Sequence, residues 1–256
     1  PGHGYAMLFG NGACENISVY RNLFAHNERR NPWIKDNARI EIINNVVYNW
    51  GTEATGLWNP AKDAPPSLAN IIGNYYKEGP NTDKLGRQGS RGLNLFQVAA
   101  PGSRFYLRGN IGPGRLTDIG DDWAAVEVGK NVVAAQYRAN SPIKEIASGI
   151  KPLPATAAFE TVLGSVGAVP QDAADKRAVE STRTGTGHKI DKLTEVGGYP
   201  DYKAGQPPTD TDDDGIPDAW ETANRLNPRD KSDATRLNRK TGYLNIEGYI
   251  NSLLPE

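Results

Sequence analysis

The segment Ile40-Glu-Ile-Ile-Asn-Asn-Val-Val-Tyr48 joins two short runs of β-branched and aromatic residues through a pair of asparagines. Three other segments have the same form and align with it on one asparagine: residues 17–24, 70–76 and 105–111. The aligned residues are Asn22, Asn45, Asn74 and Asn110, at spacings of 23, 29 and 36 residues. Self-similarity at such periods is typical of a solenoid, in which each repeat packs only on its neighbours.

These repeats predict an all-β fold, a right-handed parallel β-helix whose coils add one strand each to the same parallel sheets. An asparagine at the same bend of every coil can bond to its counterparts above and below, and so satisfy backbone groups that burial would leave unpaired. The simpler alternative is that asparagine is merely common in turns. The growing spacing indicates insertions at 51–68 and 79–104, which in solenoids often lie on the binding face.

Composition changes along the chain and suggests three parts. Residues 1–150 are predicted to form the β-helix coils. Residues 151–208, rich in Pro, Gly and Ala, are predicted to be an extended strap containing a short helix at 172–182, with Asp172 as its N-cap. Residues 209–256, which begin with an acidic run, are predicted to be a small helical appendage.

The overall composition excludes several classes of protein. With 29 basic and 30 acidic residues, the chain has no net field that favours nucleic acid as a partner. Its apolar runs are too short to cross a bilayer. The single cysteine, Cys14, excludes a disulfide framework and a cysteine-built zinc site.

The segment from Asp210 to Glu221 matches the twelve-residue calcium loop of an EF-hand. Gly215 stands where this loop turns sharply and needs a residue without a Cβ. The predicted ligands are Asp210, Asp212, Asp214, the carbonyl of Ile216, Asp218 and the bidentate Glu221. Hard oxygen ligands at this spacing favour Ca²⁺ over softer metals, and we expect a structural role for this ion.

Two further segments, Gly2–Gly10 and Ile17–Pro32, contain His-Gly-Tyr, the run Arg-Asn-Leu-Phe-Ala-His and then Arg30-Asn31-Pro32. Together they resemble the pectate lyases of polysaccharide lyase family 1, which have an HGY-like coil, an HNLFAH-like strand and an Arg-x-Pro turn. The asparagine column and the C-terminal region, from Glu195-Val-Gly-Gly-Tyr through the acidic loop, are also similar to that family.

The resemblance implies calcium-assisted β-elimination on α-1,4-linked polygalacturonate, with Arg30 as the base that removes the C5 proton. It implies that Lys35 binds a substrate carboxylate. Arg29, His3 and His26 are further candidate substrate contacts, with an exposed turn charge as the alternative for Arg29 and a side chain at the edge of the ladder as the alternative for His26. The partner is then an acidic polysaccharide, and the protein is secreted, periplasmic or at the cell surface, from a bacterial source.

The family's catalytic calcium ligands lie upstream of the segment that matches His3. We therefore expect the chain to hold the later coils, with the catalytic Ca²⁺ ligands outside it and an upstream β-helix segment as a partner. The pKa of free arginine lies far above neutral pH, so an arginine base needs positive neighbours to favour its neutral form, which predicts an alkaline optimum. Two alternatives remain open: a lyase for methylated pectin, and a non-catalytic β-helix that binds polysaccharide.

Overall fold

The computed structural model describes residues 4–10, 12–58, 63–82, 91–202 and 205–254. These residues divide into two compact units, with the boundary between Tyr199 and Pro200. The strands of the first unit are β1 Leu8–Phe9, β2 Cys14–Tyr20, β3 Leu23–Ala25, β4 Trp33–Ile34, β5 Ala38–Ile43, β6 Val46–Tyr48, β7 Thr55–Gly56, β8 Leu68–Ile72, β9 Tyr75–Lys77, β10 Leu93–Leu95, β11 Arg104–Arg108 and β12 Val126–Val128. Its α-helices are α1 Ala155–Ser165 and α2 Ala173–Thr184.

Successive strands enter three sheets in rotation. The first sheet has the order β1-β4-β7-β10-β12, the second β11-β8-β5-β2 and the third β3-β6-β9. Every pairing between these strands is parallel. A chain that returns to the same three sheets on each round is compatible with a parallel β-helix, and the predicted parallel, mainly β architecture is confirmed.

The core lies between the three sheets and is built from residues in register. In the second sheet, Val19 pairs with Ile42, and Ile42 pairs with Ile71. All three are buried, at 4%, 1% and 0% exposure. They join Ile34 of the first sheet and Val47 of the third in one hydrophobic cluster. Because side chains alternate along a strand, every second one points into this cluster. Burial of their apolar area stabilises the fold.

The asparagine column is present as a continuous hydrogen-bonded stack. The side-chain amide of Asn22 donates to Asn45 Oδ1 at 3.0 Å, Asn45 donates to Asn74 Oδ1 at 3.0 Å, and Asn74 donates to Asn110 Oδ1 at 2.9 Å. In Asn22, Asn45 and Asn74, the backbone N–H and the side-chain amide donate to the same Oδ1 of the next asparagine. The predicted ladder is therefore confirmed.

The segment after the coils contains one helix that was predicted and one that was not. Helix α2 begins after Asp172, whose carboxylate accepts from the N–H groups of Ala174 and Asp175, as the N-cap prediction required. Helix α1 was missed, although its buried residues recur at helical spacing. It packs Phe159 against Tyr75 of the third sheet, with ring centroids 4.8 Å apart.

The second unit contains helices α3 Asp218–Ala223 and α4 Asn245–Ser252. Trp220 of α3 contacts Tyr249 of α4 at 5.6 Å between ring centroids, and its Nε1 donates to Ser252 Oγ. The acidic loop therefore leads into a helix that packs on the C-terminal helix. None of the helices in the described part of the chain is both long and apolar enough to cross a bilayer.

Candidate functional site

The turn that carries Arg30 lies between β3 and β4 and is held in place by hydrogen bonds of the buried Asn31. Asn31 is 1% exposed; its amide donates to the Glu53 carbonyl at 3.3 Å, and its Oδ1 accepts from Asn27 at 3.0 Å. Arg30 has a left-handed backbone, with φ of 65°, and its carbonyl accepts from the Met7 N–H. A non-glycine residue in this conformation is uncommon and is often found at functional sites.

The guanidinium group of Arg30 is held between two aromatic rings. Its Cζ lies 4.5 Å from the Tyr5 ring centroid and 4.9 Å from that of Trp33. The Nε is buried without a hydrogen-bond partner, and within the described part of the chain the terminal nitrogens donate no hydrogen bond to protein. The rings thus position the group through cation–π contact while leaving its terminal nitrogens available to a ligand.

Trp33 is itself supported by its neighbours in the next coil. Its Nε1 donates to the Trp58 carbonyl at 2.9 Å, and the two indole rings lie 4.6 Å apart. Gly56, which pairs with Trp33 in the first sheet, leaves room for the indole: a Cβ there would lie 2.9 Å from Trp33 Cδ1. The aromatic wall beside Arg30 is therefore built from two successive coils.

Arg29 contacts the same tyrosine from the preceding position. Its Cζ lies 4.5 Å from the Tyr5 ring centroid, and its Nη2 donates to the Tyr5 hydroxyl at 2.6 Å. Burial raises the pKa of Glu53, and the neighbouring Arg29 and Arg30 charges oppose this without reversing it. When ionised, Glu53 reduces the positive potential at the arginine pair, which works against the positive environment that an arginine base requires.

Lys35 follows β4 on the same outward face as Trp33. Ile34 between them is fully buried, so alternation along the strand directs the flanking side chains away from the core. The Lys35 N–H donates to the Phe9 carbonyl at 2.8 Å, which continues the parallel pairing past β4. The structure thus places Lys35 and the aromatic wall beside Arg30 on one face.

His26 makes internal contacts with both ring nitrogens. Nε2 lies 2.8 Å from Ser181 Oγ of α2, and Nδ1 lies 2.7 Å from Asn49 Nδ2. Burial lowers the pKa of His26, and the charges of His188 and Arg177 lower it further. Both nitrogens are used within the protein, which argues against the predicted substrate contact. His3, the other predicted histidine, lies outside the described residues.

The orientation of Asn49 determines which nitrogen of His26 carries the proton. Asn49 Oδ1 accepts from the Asn81 N–H, so its Nδ2 must be the donor to His26 Nδ1. The proton of neutral His26 is then on Nε2 and points to Ser181 Oγ, which donates in turn to Ala178 O. This arrangement fastens α2 to the coils; it does not activate the serine as a nucleophile.

A lysine that sequence reasoning missed lies next to the arginine turn. Lys189 forms an ion pair with Glu28, and its N–H donates to Asn81 Oδ1 at 2.7 Å. Although burial raises the pKa of Glu28, the hydrogen bond and charge of Lys189, together with Thr52, lower it overall. The partners are 161 residues apart in sequence, so no local pattern could have indicated the contact.

The acidic loop of the second unit brings most of its predicted ligands together. Carboxylate oxygens of Asp210, Asp212 and Asp214 lie within 4.8 Å of one another, and so do those of Asp214, Glu221 and Asp233. Gly215, with φ of 92°, makes the turn that the loop pattern requires. Asp233 was not predicted, because it lies beyond the twelve-residue loop.

Several of these carboxylate oxygens are buried without a hydrogen-bond partner among the described residues. They are both oxygens of Asp212, Oδ2 of Asp214, both oxygens of Glu221 and Oδ1 of Asp233. Burial raises the pKa of Glu221 to about 7, and the charges of Asp214, Asp212, Asp233 and Asp218 contribute to the rise. Buried, unpaired carboxylates at this spacing fit a hard divalent cation, since its charge would compensate theirs.

Two predicted ligands, Asp218 and Ile216, make hydrogen bonds within the loop. Asp218 lies outside both groups: its carboxylate accepts from the N–H and the hydroxyl of Thr211, each at 2.7 Å. These bonds lower its pKa. Ile216 is fully buried, and its N–H donates to Asp214 Oδ1 at 2.8 Å. The loop backbone is thus shaped by its own acidic side chains.

No protein-family model matches the chain. It is 32% identical over 242 residues to a protein named probable pectate lyase C from Aspergillus terreus, which covers 93% of this chain and 54% of the relative. Proteins of the same name from Emericella nidulans (32% over 248 residues, 94% and 53% coverage) and Aspergillus fumigatus (30% over 245 residues, 93% and 54%) also match.

The chain spans about half the length of the curated relatives it matches. All of these relatives are fungal, so the predicted bacterial source finds no support in them. The resemblance to pectate lyases that the sequence predicted is confirmed: over nearly its whole length, the chain is similar to proteins named probable pectate lyase C.

Proposed function

We propose that this chain carries the arginine-base half of a pectate lyase site, which cleaves α-1,4-polygalacturonate by β-elimination. The observation that carries the proposal is the state of Arg30. Its guanidinium group is fixed between Tyr5 and Trp33, and its terminal nitrogens bind no described protein group. A base must be positioned by the protein and yet free to meet its proton.

In this proposal, an Arg30 terminal nitrogen removes the proton from C5 of a galacturonate unit. The electrons of that C–H bond form the C4–C5 double bond, the C4–O glycosidic bond breaks, and the departing oxygen takes a proton from solvent. The negative charge that develops on the adjacent carboxylate is stabilised by cations on the same face. Lys35 is the candidate for this contact, with Arg29 beside the base.

The decisive experiment compares two arginines that share a left-handed backbone and a cation–π contact. Arg21 also has a left-handed backbone, with φ of 54°, and also lies over a tyrosine ring, at 4.9 Å from Tyr20. It lies at the bend between β2 and β3, away from the proposed site. Arg21→Ala therefore controls for the cost of the backbone conformation and the lost cation–π contact.

In the protein that also carries the upstream segment, we expect Arg30→Ala to lower the rate at which ultraviolet-absorbing unsaturated product forms from polygalacturonate by about 10²–10⁴-fold, the usual contribution of a general base. Arg21→Ala should retain the wild-type rate, and the wild-type rate should rise toward alkaline pH. An active Arg30→Ala variant, or equal losses in the two variants, would contradict the assignment of Arg30.

A lyase for methylated pectin is the second candidate. The rings of Tyr5, Trp33 and Trp58 make the surface beside Arg30 largely aromatic, and a methyl ester needs fewer cations than a free carboxylate. Faster product formation from highly methylated pectin than from polygalacturonate would favour this reading. Saturable binding of either polymer with no product would favour a non-catalytic polysaccharide-binding β-helix.

For the second unit, we propose that the loop 210–221 binds one structural Ca²⁺. The proposed ligands are Asp210, Asp212, Asp214, the Ile216 carbonyl, Asp218 and Glu221. Position 9 of such loops often reaches the ion through water, which is compatible with the bonds of Asp218 to Thr211. Titration calorimetry should show one Ca²⁺ per chain, and a chelator should lower the unfolding temperature of this unit.

The remaining parts of the proposal concern the whole protein. We place the ligands of a catalytic Ca²⁺ outside this chain, on an upstream β-helix segment, and we take the coils to be those of a right-handed parallel β-helix. We also propose the division into coils (1–150), strap (151–208) and calcium-binding appendage (209–256). Action on pectin implies a secreted protein.

A further inference from the structure

Asp233 is a buried carboxylate with one oxygen unpartnered. It lies in the turn between α3 and α4 and is 2% exposed. Its Oδ2 accepts from the Asn227 N–H at 2.9 Å, whereas its Oδ1 is buried and has no hydrogen-bond partner among the described residues. A buried charge in this state is costly unless something outside the protein compensates it.

The unpartnered oxygen belongs to a group that includes the last ligand of the calcium loop. Carboxylate oxygens of Asp214, Glu221 and Asp233 all lie within 4.8 Å of one another. Glu221 is fully buried, and both of its oxygens lack a partner in the described structure. Three carboxylates at this separation repel one another strongly in a low-dielectric environment.

Two basic side chains of the same segment are paired elsewhere. Lys231 Nζ donates to the Asp213 carbonyl. Arg236 pairs with Asp230 at 2.8 Å. Lys231 and Arg236 are therefore engaged away from the three carboxylates, and a bound cation would supply the compensating charge.

We propose that Asp233 is an additional ligand of the loop cation, supplied from outside the EF-hand-like loop. This inference rests on the proposed calcium site and extends it. Oxygen ligands and a count beyond six suit Ca²⁺, which takes six to eight, better than Mg²⁺, which demands an octahedral site.

The contacts of Asp233 give the additional ligand a structural consequence. The Asp233 carbonyl accepts from Asn245 Nδ2 at 2.8 Å, and the Ala234 carbonyl accepts from the Ile246 N–H at 3.0 Å. Both donors belong to the first turn of α4. The cation therefore joins the loop, the turn at 230–233 and the start of α4 into one structure.

The test uses the full chain and compares Asp233→Asn with Asp230→Asn. Asp230 is an acid in the same turn, but its carboxylate is partly exposed and pairs with Ser232 and Arg236. Binding is followed by calorimetry with Ca²⁺ and by terbium luminescence sensitised through Trp220. A third variant, Asp212→Asn, removes a ligand of the loop itself.

We expect Asp233→Asn to weaken Ca²⁺ binding by about tenfold or more, since affinity in such loops follows the number of charged ligands. Without metal, Asp233→Asn should be at least as stable as wild type, because it removes a repulsive charge. Asp230→Asn should bind as wild type does. Wild-type affinity in Asp233→Asn, or destabilisation of that variant both with and without metal, would overturn the inference.

A measurement on the unmodified chain keeps the test independent of variant folding. Ca²⁺ should slow hydrogen exchange of the amides at 227–246 as well as those of the loop. Protection limited to 210–221, together with a loss of binding in Asp212→Asn, would refute the role of Asp233 and leave the loop site standing. Absence of Ca²⁺ binding by the wild type would refute both.

Discussion

Replacing Asn74 by alanine tests whether the asparagine column holds the coils together. The Asn74 amide donates to the Ile42 carbonyl at 2.8 Å and to Asn110 Oδ1 at 2.9 Å, and its Oδ1 accepts from both the N–H and the amide of Asn45. Asn45, Asn74 and Asn110 are all 0% exposed. Water therefore cannot readily replace the bonds that the substitution removes.

The expected cost follows from the groups left unpaired. The Asn45 N–H loses its acceptor, which costs about 1–3 kcal/mol for a buried donor, and loss of the Ile42 bond adds about 0.5–1.5 kcal/mol. We expect Asn74→Ala to lower the free energy of unfolding by about 2–4 kcal/mol. Asn22→Ala is the matched control, because Asn22 is the partly buried end of the column and its side-chain amide donates to Tyr20 O and Asn45 Oδ1. Its cost should stay below about 1 kcal/mol.

The assay is guanidinium denaturation followed by far-ultraviolet circular dichroism, with the slope compared between variants. An unchanged slope with a lower midpoint for Asn74→Ala identifies a loss of native stability. Equal midpoints for Asn74→Ala and Asn22→Ala, or no loss in Asn74→Ala, would refute the argument that the buried bonds of the column stabilise the coils.

Three other substitutions or conditions test the site and its supports. Gly56→Ala should displace the Trp33 indole, lower the free energy of unfolding by about 1–3 kcal/mol through overpacking and lower the lyase rate. The control is Gly164→Ala, at an exposed helical position with open space around it, which should not destabilise the protein. The pKa of His26 is lowered from 6.5 in the folded protein, so His26 binds a proton more readily in the unfolded chain. The free energy of unfolding should therefore fall as the pH drops below 6.5 and recover above it. Hydrogen exchange of the α2 amides between pH 7 and pH 5.5 measures this effect, and an unchanged exchange rate would contradict it. Asp172→Ala should cost about 1 kcal/mol in chemical denaturation, because the carboxylate caps two N–H groups of α2; a neutral outcome would show that the cap is dispensable.

Features that depend on local spacing could be predicted from the sequence. The sequence predicts the column of Asn22, Asn45, Asn74 and Asn110 because each coil has backbone groups at the same buried bend that need hydrogen bonds. The same residue therefore recurs at that bend. The acidic loop was identified because its ligands lie within twelve residues of one another, and Asp172 because a cap precedes its own helix. Helix α1 also had a periodic signal, but its composition of small residues and flanking prolines favoured a strap.

Contacts between distant segments were decided only by the tertiary structure. Lys189 forms an ion pair with Glu28, Ser181 of α2 lies within hydrogen-bond distance of His26, and Asp233 lies near Glu221 of the acidic loop. No sequence motif links the two partners of any of these contacts. The sequence by itself determined a repeating parallel β architecture, an Arg30 turn and an acidic loop, because each is set by residues close together in the chain. Only the folded structure decided that aromatic rings contact Arg30, that His26 bonds to α2, and that the carboxylate of Asp233 lies near those of the acidic loop. Packing and charge depend on which segments meet.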